Sequence, residues 1–239
     1  MHRKKLITAL AAAVGALVVA GAVYAAVTVT FTASVKPNKA NKPTGLFVNI
    51  KSADPAAPQP PIMNRILIKL NKGGKFNASK FPRCKLTTLQ SKGPSGCPKG
   101  SKIGTGNGVG MARPVVTDPV NGKITLFNGT QVGGKDTVLA FVLPDLGPTF
   151  VSVGKVSKSG GRYSLDFSIP PIKTLPSAPD ASVISVNTKT PVKKIRKSRT
   201  NYYLIIAPKK CTGTWKGTGT FYFTTGESQT VPVSQKCKK

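Results

Sequence analysis

The chain has 239 residues, 36 lysines and arginines against 7 acids, a formal charge of +29, and one histidine, His2. That balance argues against most hydrolytic and metal chemistry. The commonest general base and neutral metal ligand occurs once, in a segment expected to be removed, and carboxylates are scarce. It favours polyanions instead: an excess of one sign draws the chain to phosphate polymers, anionic head groups, acidic polysaccharide or nucleic acid.

Residues 1–5 form a basic head with His2, Arg3, Lys4 and Lys5. Residues 6–23 are apolar apart from Thr8, Gly15 and Gly21, and Val23 and Ala25 are small residues at the −3 and −1 positions. This is the three-part layout of a secretory signal peptide over residues 1–25. It leaves a single domain over 26–239 with a net charge of about +26. The alternative is an uncleaved anchor, since 6–23 just reaches spanning length. No later apolar run does.

Residues 27–35 alternate strictly. Val27, Val29, Phe31, Ala33 and Val35 fall on one side and Thr28, Thr30, Thr32 and Ser34 on the other, the pattern of a strand with one buried face. The proline-rich stretches 54–61 and 170–179 read as surface crossovers. Gly104-Thr105-Gly106-Asn107-Gly108 lacks the Lys-Ser/Thr and the helix that should follow a phosphate loop, so it reads as a flexible or bulged β connection. Residues 114–119 mark the place where the domain would divide into two smaller sandwiches, if it divides at all.

Asn121-Gly122, Gly133-Gly134 and Gly160-Gly161 are hairpin signals, with Thr225-Gly226 a weaker one. Residues 138–143 are continuously apolar, which predicts a central strand covered on both faces. Tyr163, Leu165, Phe167 and Ile169 alternate with Ser164, Asp166 and Ser168. No helix pattern follows the signal helix. Some ten short strands at this spacing predict an all-β domain, a β-sandwich with a jelly roll as its natural variant.

The densest basic run is Lys193, Lys194, Arg196, Lys197 and Arg199, just before an apolar strand at 202–207. It is the candidate anion patch. Its plain alternative is a charged loop, or a strand edge guarded by lysine. Other lysines are spread along the whole chain, so most of the charge reads as a diffuse solubilising surface.

Cys84, Cys97, Cys211 and Cys237 are an even set in a chain routed to an oxidising compartment, and they allow three pairings. Closeness in sequence favours Cys84 with Cys97 and Cys211 with Cys237, each bracketing a local loop. Zinc is disfavoured because there is no Cys-x-x-Cys pair and no histidine to help. Trp215, Gly217, Gly219, Phe221 and Phe223 share a face of the last long strand, the glycines leaving room for the indole. A two-residue turn at Thr225-Gly226 would set Trp215 opposite Lys236 and Cys237 opposite Thr214, three positions from Cys211. A bulge among Gly213, Gly217 and Gly219, or a longer turn, must then absorb the offset.

The acids are Asp54, Asp118, Asp136, Asp145, Asp166, Asp180 and Glu227. All but Asp166 belong to turn sequences, and Asp166 lies on the polar face of its strand, so all read as solvated. There is no Gly-x-Ser-x-Gly elbow, no serine-lysine spacing that stands out, and no Asp-x-Asp series for calcium. Asn77-Ala78-Ser79 and Asn128-Gly129-Thr130 match the glycan acceptor pattern, which matters only on a eukaryotic secretory route. No catalytic, cofactor or metal residue is assigned.

Phe81-Pro82-Arg83-Cys84 with the run Gly96 to Gly104, and Lys210-Cys211-Thr212-Gly213-Thr214-Trp215 through Cys237, together resemble a group of secreted, disulfide-containing all-β proteins of high-GC actinobacteria. The resemblance covers about a quarter of the chain. It implies a bacterial exported protein with the same two local disulfides and supplies no activity. The expected function is therefore a non-enzymatic, exported, basic β-protein with a structural or polyanion-binding role at the cell envelope. Its partner would be an anionic envelope polymer or an acidic polysaccharide. Membrane contact is expected only if the signal segment stays, and specific nucleic-acid binding is not expected. A carbohydrate-binding module stacking sugars on Trp215 or on Tyr202 and Tyr203 is the second reading, and an Asp-dependent hydrolase the third.

Overall fold

A computed structural model describes residues 27–173 and 179–239. The expected signal segment lies outside the described residues, as does part of the second proline-rich stretch. The fold is all-β, as the alternation predicts. In chain order the strands are β1 (Thr28–Lys36), β2 (Gly45–Ala53), β3 (Met63–Lys72), β4 (Lys75–Phe76), β5 (Lys102–Ala112), β6 (Val116–Val132), β7 (Lys135–Pro144) and β8 (Phe150–Ser159). They continue as β9 (Arg162–Ser168), β10 (Ser182–Thr190), β11 (Lys194–Lys197), β12 (Thr200–Tyr203), β13 (Ile205–Ile206), β14 (Thr214–Phe223) and β15 (Ser228–Lys236).

Eleven strands share one sheet in the order β1-β2-β10-β5-β6-β7-β8-β9-β3-β14-β15, every pair antiparallel. The sheet coils until its ends meet, giving a nearly closed barrel whose opposite walls face each other as the layers of a sandwich do. Beyond the ends of β1 and β15 the seam is bonded: Ala40 N–H donates to the Lys238 carbonyl at 2.8 Å, and Lys238 N–H to Asn38 at 2.9 Å.

Because neighbours are antiparallel, successive connections alternate between the two ends. One end holds the connections 37–44, 73–101, 133–134, 160–161 and 191–213 and the C-terminus. The other holds 54–62, 113–115, 145–149, 169–173, 179–181 and 224–227 and Val27. The short ladder β4–β13 lies across the first end, with Pro43 bridged to Ile206.

The inward residues of β1 are those the alternation names: Val27, Val29 and Phe31 are buried against Ile50, Ile66, Ile68 and Phe221. Residues 138–142 are covered on both faces as expected, whereas Leu143, next to the end of β7, is 48 % exposed. Val138, Ala140 and Val142 join the interior with Ile124 and Leu126. Leu139 and Phe141 pack outward against Phe127, Leu89 and Cys84. The outer cover is a short helix, α1 (Leu86–Lys92), which the sequence reading lacks; a seven-residue helix is too short to show a 3.6-residue period. It ends where Gly93, at φ +64°, donates its N–H to the Leu89 carbonyl.

Gly133-Gly134 and Gly160-Gly161 are two-residue hairpin turns with both glycines at positive φ. Asn121-Gly122 is not a turn. It lies inside β6, where Gly122 pairs with Gly108 on one side and Pro144 on the other. Gly104 to Gly108 is likewise no connection but paired strand in β5, with the expected bulge between Lys102 and Gly104. Residues 114–119 form the tip and start of the β5–β6 hairpin. Pro119 precedes the stretch of β6 that pairs with β7, so its missing N–H breaks no ladder there.

Both disulfides form as sequence closeness favours, Cys84–Cys97 and Cys211–Cys237 with Cα atoms 5.0 and 5.8 Å apart. The terminal hairpin differs by one position from a two-residue turn. Thr214 pairs with Lys236 and Trp215 with Gln235. The loop has three residues, Thr224-Thr225-Gly226, closed by Phe223 N–H to the Glu227 carbonyl at 3.0 Å, with Gly226 at φ +88°. The remaining offset is taken up at Gly213 (φ +97°), whose carbonyl accepts the Cys237 N–H at 3.0 Å. The strand glycines make room for groups other than the indole: a Cβ on Gly217 would sit 2.8 Å from the Lys69 carbonyl. A Cβ on Gly219 would sit 2.7 Å from Phe31, not against the indole.

Candidate functional site

Charge that looks diffuse in sequence is sorted in space. Connections at the first end are basic: Lys36, Lys39 and Lys42 flank or fill 37–44, Lys158 and Arg162 flank the 160–161 turn, and Lys236, Lys238 and Lys239 finish the chain. The other end is where the acids collect. Asp54, Asp118, Asp145, Asp180 and Glu227 each belong to a different connection there, or lie beside one, with Arg113 and Lys173 among them and Lys173 paired with Asp180 at 2.7 Å. Strands of nine to eleven residues separate the two ends by roughly 30 Å. That is several Debye lengths at physiological salt, so the charges of one end are screened from a ligand at the other.

The candidate anion patch stands on the basic end. Its residues form the two-stranded ribbon β11–β12, pairing Lys194 with Tyr203, Ile195 with Tyr202, Arg196 with Asn201 and Lys197 with Thr200. Ile195, half-buried, packs on the interior cluster and roots the ribbon, while Lys194, Arg196, Lys197 and Arg199 are exposed and Lys193 is half-buried. The expected strand 202–207 is two pieces, broken at Leu204. That side chain is fully buried, its N–H donates to the Lys193 carbonyl at 3.0 Å, and its carbonyl accepts from Asn77. The Asn77 side-chain amide donates to the Tyr203 carbonyl at 2.7 Å. A pair of anchored backbones thus holds the ribbon while its cations point to solvent.

The aromatic residues do not make a platform. Trp215 is 6 % exposed, and its indole N–H donates to the Lys210 carbonyl at 3.0 Å. Tyr202 and Tyr203 are half-buried, and the Lys80 ammonium lies 5.1 Å from the Tyr202 ring centre, where a sugar would stack. The carboxylates are partly engaged. Asp166 takes both Arg65 nitrogens at 2.7 and 2.8 Å, and Asp136 takes Arg83 at 2.6 Å and Gln131 at 3.1 Å. Hydrogen bonding to Asp166 raises the Arg65 guanidinium above its ordinary value against an opposing desolvation. Among the described residues no three His, Cys, Asp or Glu side chains gather as metal ligands would.

Of the two glycan acceptor matches, Asn128 is fully buried. Its amide nitrogen contacts the carbonyls of Ala78, Phe81 and Pro82 at 3.0–3.3 Å, so it is structural. Comparison of the chain with protein-family models, with curated proteins and with solved structures returned no match.

Proposed function

We propose that this is an exported, non-enzymatic binding protein that docks its basic end on an anionic polymer of the cell envelope or an acidic polysaccharide. The observation that carries the reading is the sorting of charge: cations at one end of the barrel, acids at the other, and an anchored ribbon of cations projecting from the basic end. Two disulfides fit an oxidising compartment, and no helix of the described residues is long and apolar enough to cross a membrane. Export itself rests on the signal-like segment 1–25.

The test is retention of the mature protein on immobilised polyphosphate and on an acidic polysaccharide across a salt series. Affinity should fall linearly in log-log form. The triple variant Lys194→Gln, Arg196→Gln, Lys197→Gln should flatten that slope by up to about one per contacting cation. Lys51→Gln with Arg113→Gln, nearer the acidic end, should leave it unchanged. Retention that ignores salt, or equal loss from both sets of variants, would overturn the reading.

A further inference from the structure

The barrel is not filled. An apolar cavity of about 310 Å³ lies between its walls, lined among others by Ile66, Ile68, Ile124, Val138, Val142 and Phe167. Its existence traces to small residues at inward positions on three neighbouring strands: Gly108 and Gly110 on β5, Gly122 on β6 and Ala140 on β7. Glycines in this barrel are of two kinds. At Gly154 and Gly219 a Cβ would sit 2.7 Å from the Phe167 or Phe31 ring, so those glycines make way for a neighbour. At Gly108 a Cβ would meet nothing nearer than 3.5 Å, and at Gly110 and Gly122 nothing nearer than 3.4 Å. There a methyl would find ordinary contact distances, and all three glycines line the cavity. A void with such walls stays dry and leaves its lining short of contacts, which an apolar guest restores.

The cavity lining runs from the basic end, where Phe76 and Ile205 of the β4–β13 ladder belong to it with Lys75 and Lys216, to the acidic end. At the acidic end a surface cleft between the β5–β6 tip and the 145–149 loop shares Val120, Asn121 and Leu146 with the cavity lining. Leu146 is 40 % exposed and Val115, also in the cleft, 51 %, so the approach is apolar. Asp118 and Asp145 line the same cleft. Arg113 stands at the β5–β6 tip two residues before Val115, so the cleft carries two carboxylates against one neighbouring guanidinium.

We infer that the barrel interior binds a single aliphatic chain carrying an uncharged head group, admitted through the cleft beside Leu146 with its head left near Asp118 and Asp145. The volume is about twice that of the ~150 Å³ apolar cavity that accepts benzene and falls at the small end of ligand pockets, which suits one chain. An anionic head would meet both carboxylates, and a neutral one would not.

The experiment uses the mature protein with 1-dodecanol and with laurate as probes, read by displacement of a fluorescent naphthylamine dye and by thermal unfolding. Dodecanol should displace the dye and raise the melting temperature, and should bind at least tenfold more tightly than laurate. Gly108→Val with Gly110→Leu should fill the space and weaken dodecanol binding at least tenfold while the far-ultraviolet spectrum is kept. Should that variant not fold, methyl NMR on the unaltered protein decides: contacts from the chain to Ile124 and Val142 are expected. No displacement, laurate binding as tight as dodecanol, undiminished binding by the folded filled variant, or chain contacts confined to Val115 and Leu143 would each overturn the inference. None of these readouts depends on salt-sensitive retention on polyanions, so the two proposals stand or fall separately.

Discussion

The side chain of Gln235 pairs with the backbone of Val35 across the seam of the barrel, donating from Nε2 to the Val35 carbonyl at 2.8 Å and accepting the Val35 N–H at Oε1, also at 2.8 Å. Strands β1 and β15 share no ladder of their own, so one amide supplies the two bonds that a rung would. Truncation in Gln235→Ala strands both Val35 groups, and a cost of about 1–3 kcal/mol is expected. Denaturant melts should show it, and hydrogen exchange should show early loss of protection at Val35. Unchanged protection would mean the seam is held elsewhere.

The Cys211–Cys237 bridge fastens the end of the chain to the start of β14, closing a loop with a sequence separation of 26. Replacing both cysteines by alanine should lower stability by roughly 2–5 kcal/mol. An unreduced digest analysed by mass spectrometry should yield the Cys211–Cys237 peptide pair and no cross-link to Cys84 or Cys97.

Asn128 belongs to the floor under the Cys84–Cys97 loop, and its amide nitrogen faces only carbonyls. Asn128→Asp puts a carboxylate among those acceptors and should destabilise by more than Asn128→Ala, which itself should cost about 1–3 kcal/mol. Expression in a glycosylating host should leave Asn128 unmodified when the intact protein is weighed.

Two alanine substitutions should have opposite signs. Gly219→Ala forces a methyl to 2.7 Å from Phe31 and 2.9 Å from Phe221, and should cost roughly 1–3 kcal/mol. Gly108→Ala, with its nearest neighbour Ile124 at 3.5 Å, should gain about 0.4–1 kcal/mol through the unfolded chain. Equal destabilisation by both would show that Gly108 has no room for a methyl.

Arg65 and Asp166 are half-exposed, so Arg65→Ala should cost no more than about 1 kcal/mol despite the two-pronged contact. A base whose folded value is raised keeps its contribution in full below the unfolded value, and loses it only as pH climbs through the folded one. Urea melts of wild type and variant should therefore differ by the same amount across neutral pH.

What the sequence shows and what it hides divide along the range of the interactions. Alternation at 27–35 and 163–169, the apolar run at 138–143 up to Val142 and the glycine pairs at 133 and 160 are local signals, and the fold keeps them. Asn121-Gly122 carries an equally strong local signal but is overruled, because β5 and β7 pair with it on both sides. Barrel closure brings Val35 to Gln235, 200 residues on, which no local pattern encodes. The sorting of charge was legible in principle. Lysines mark alternate connections and acids the ones between, a period that becomes visible only once the strands are counted. The cavity was hidden because an inward glycine reads the same whether a ring or empty space faces it.

An antiparallel barrel with an even number of strands brings the chain back to the side on which it began. Eleven strands carry it across instead, so Val27 leaves from the acidic side and Lys239 from the basic side. Val27 and Lys239 are therefore opposite handles. A tether at Val27 turns the lysine ribbon outward, whereas a tether at Lys239 turns outward the cleft beside Leu146. The choice of attachment point alone thus decides which of the two faces any immobilised form offers to solution.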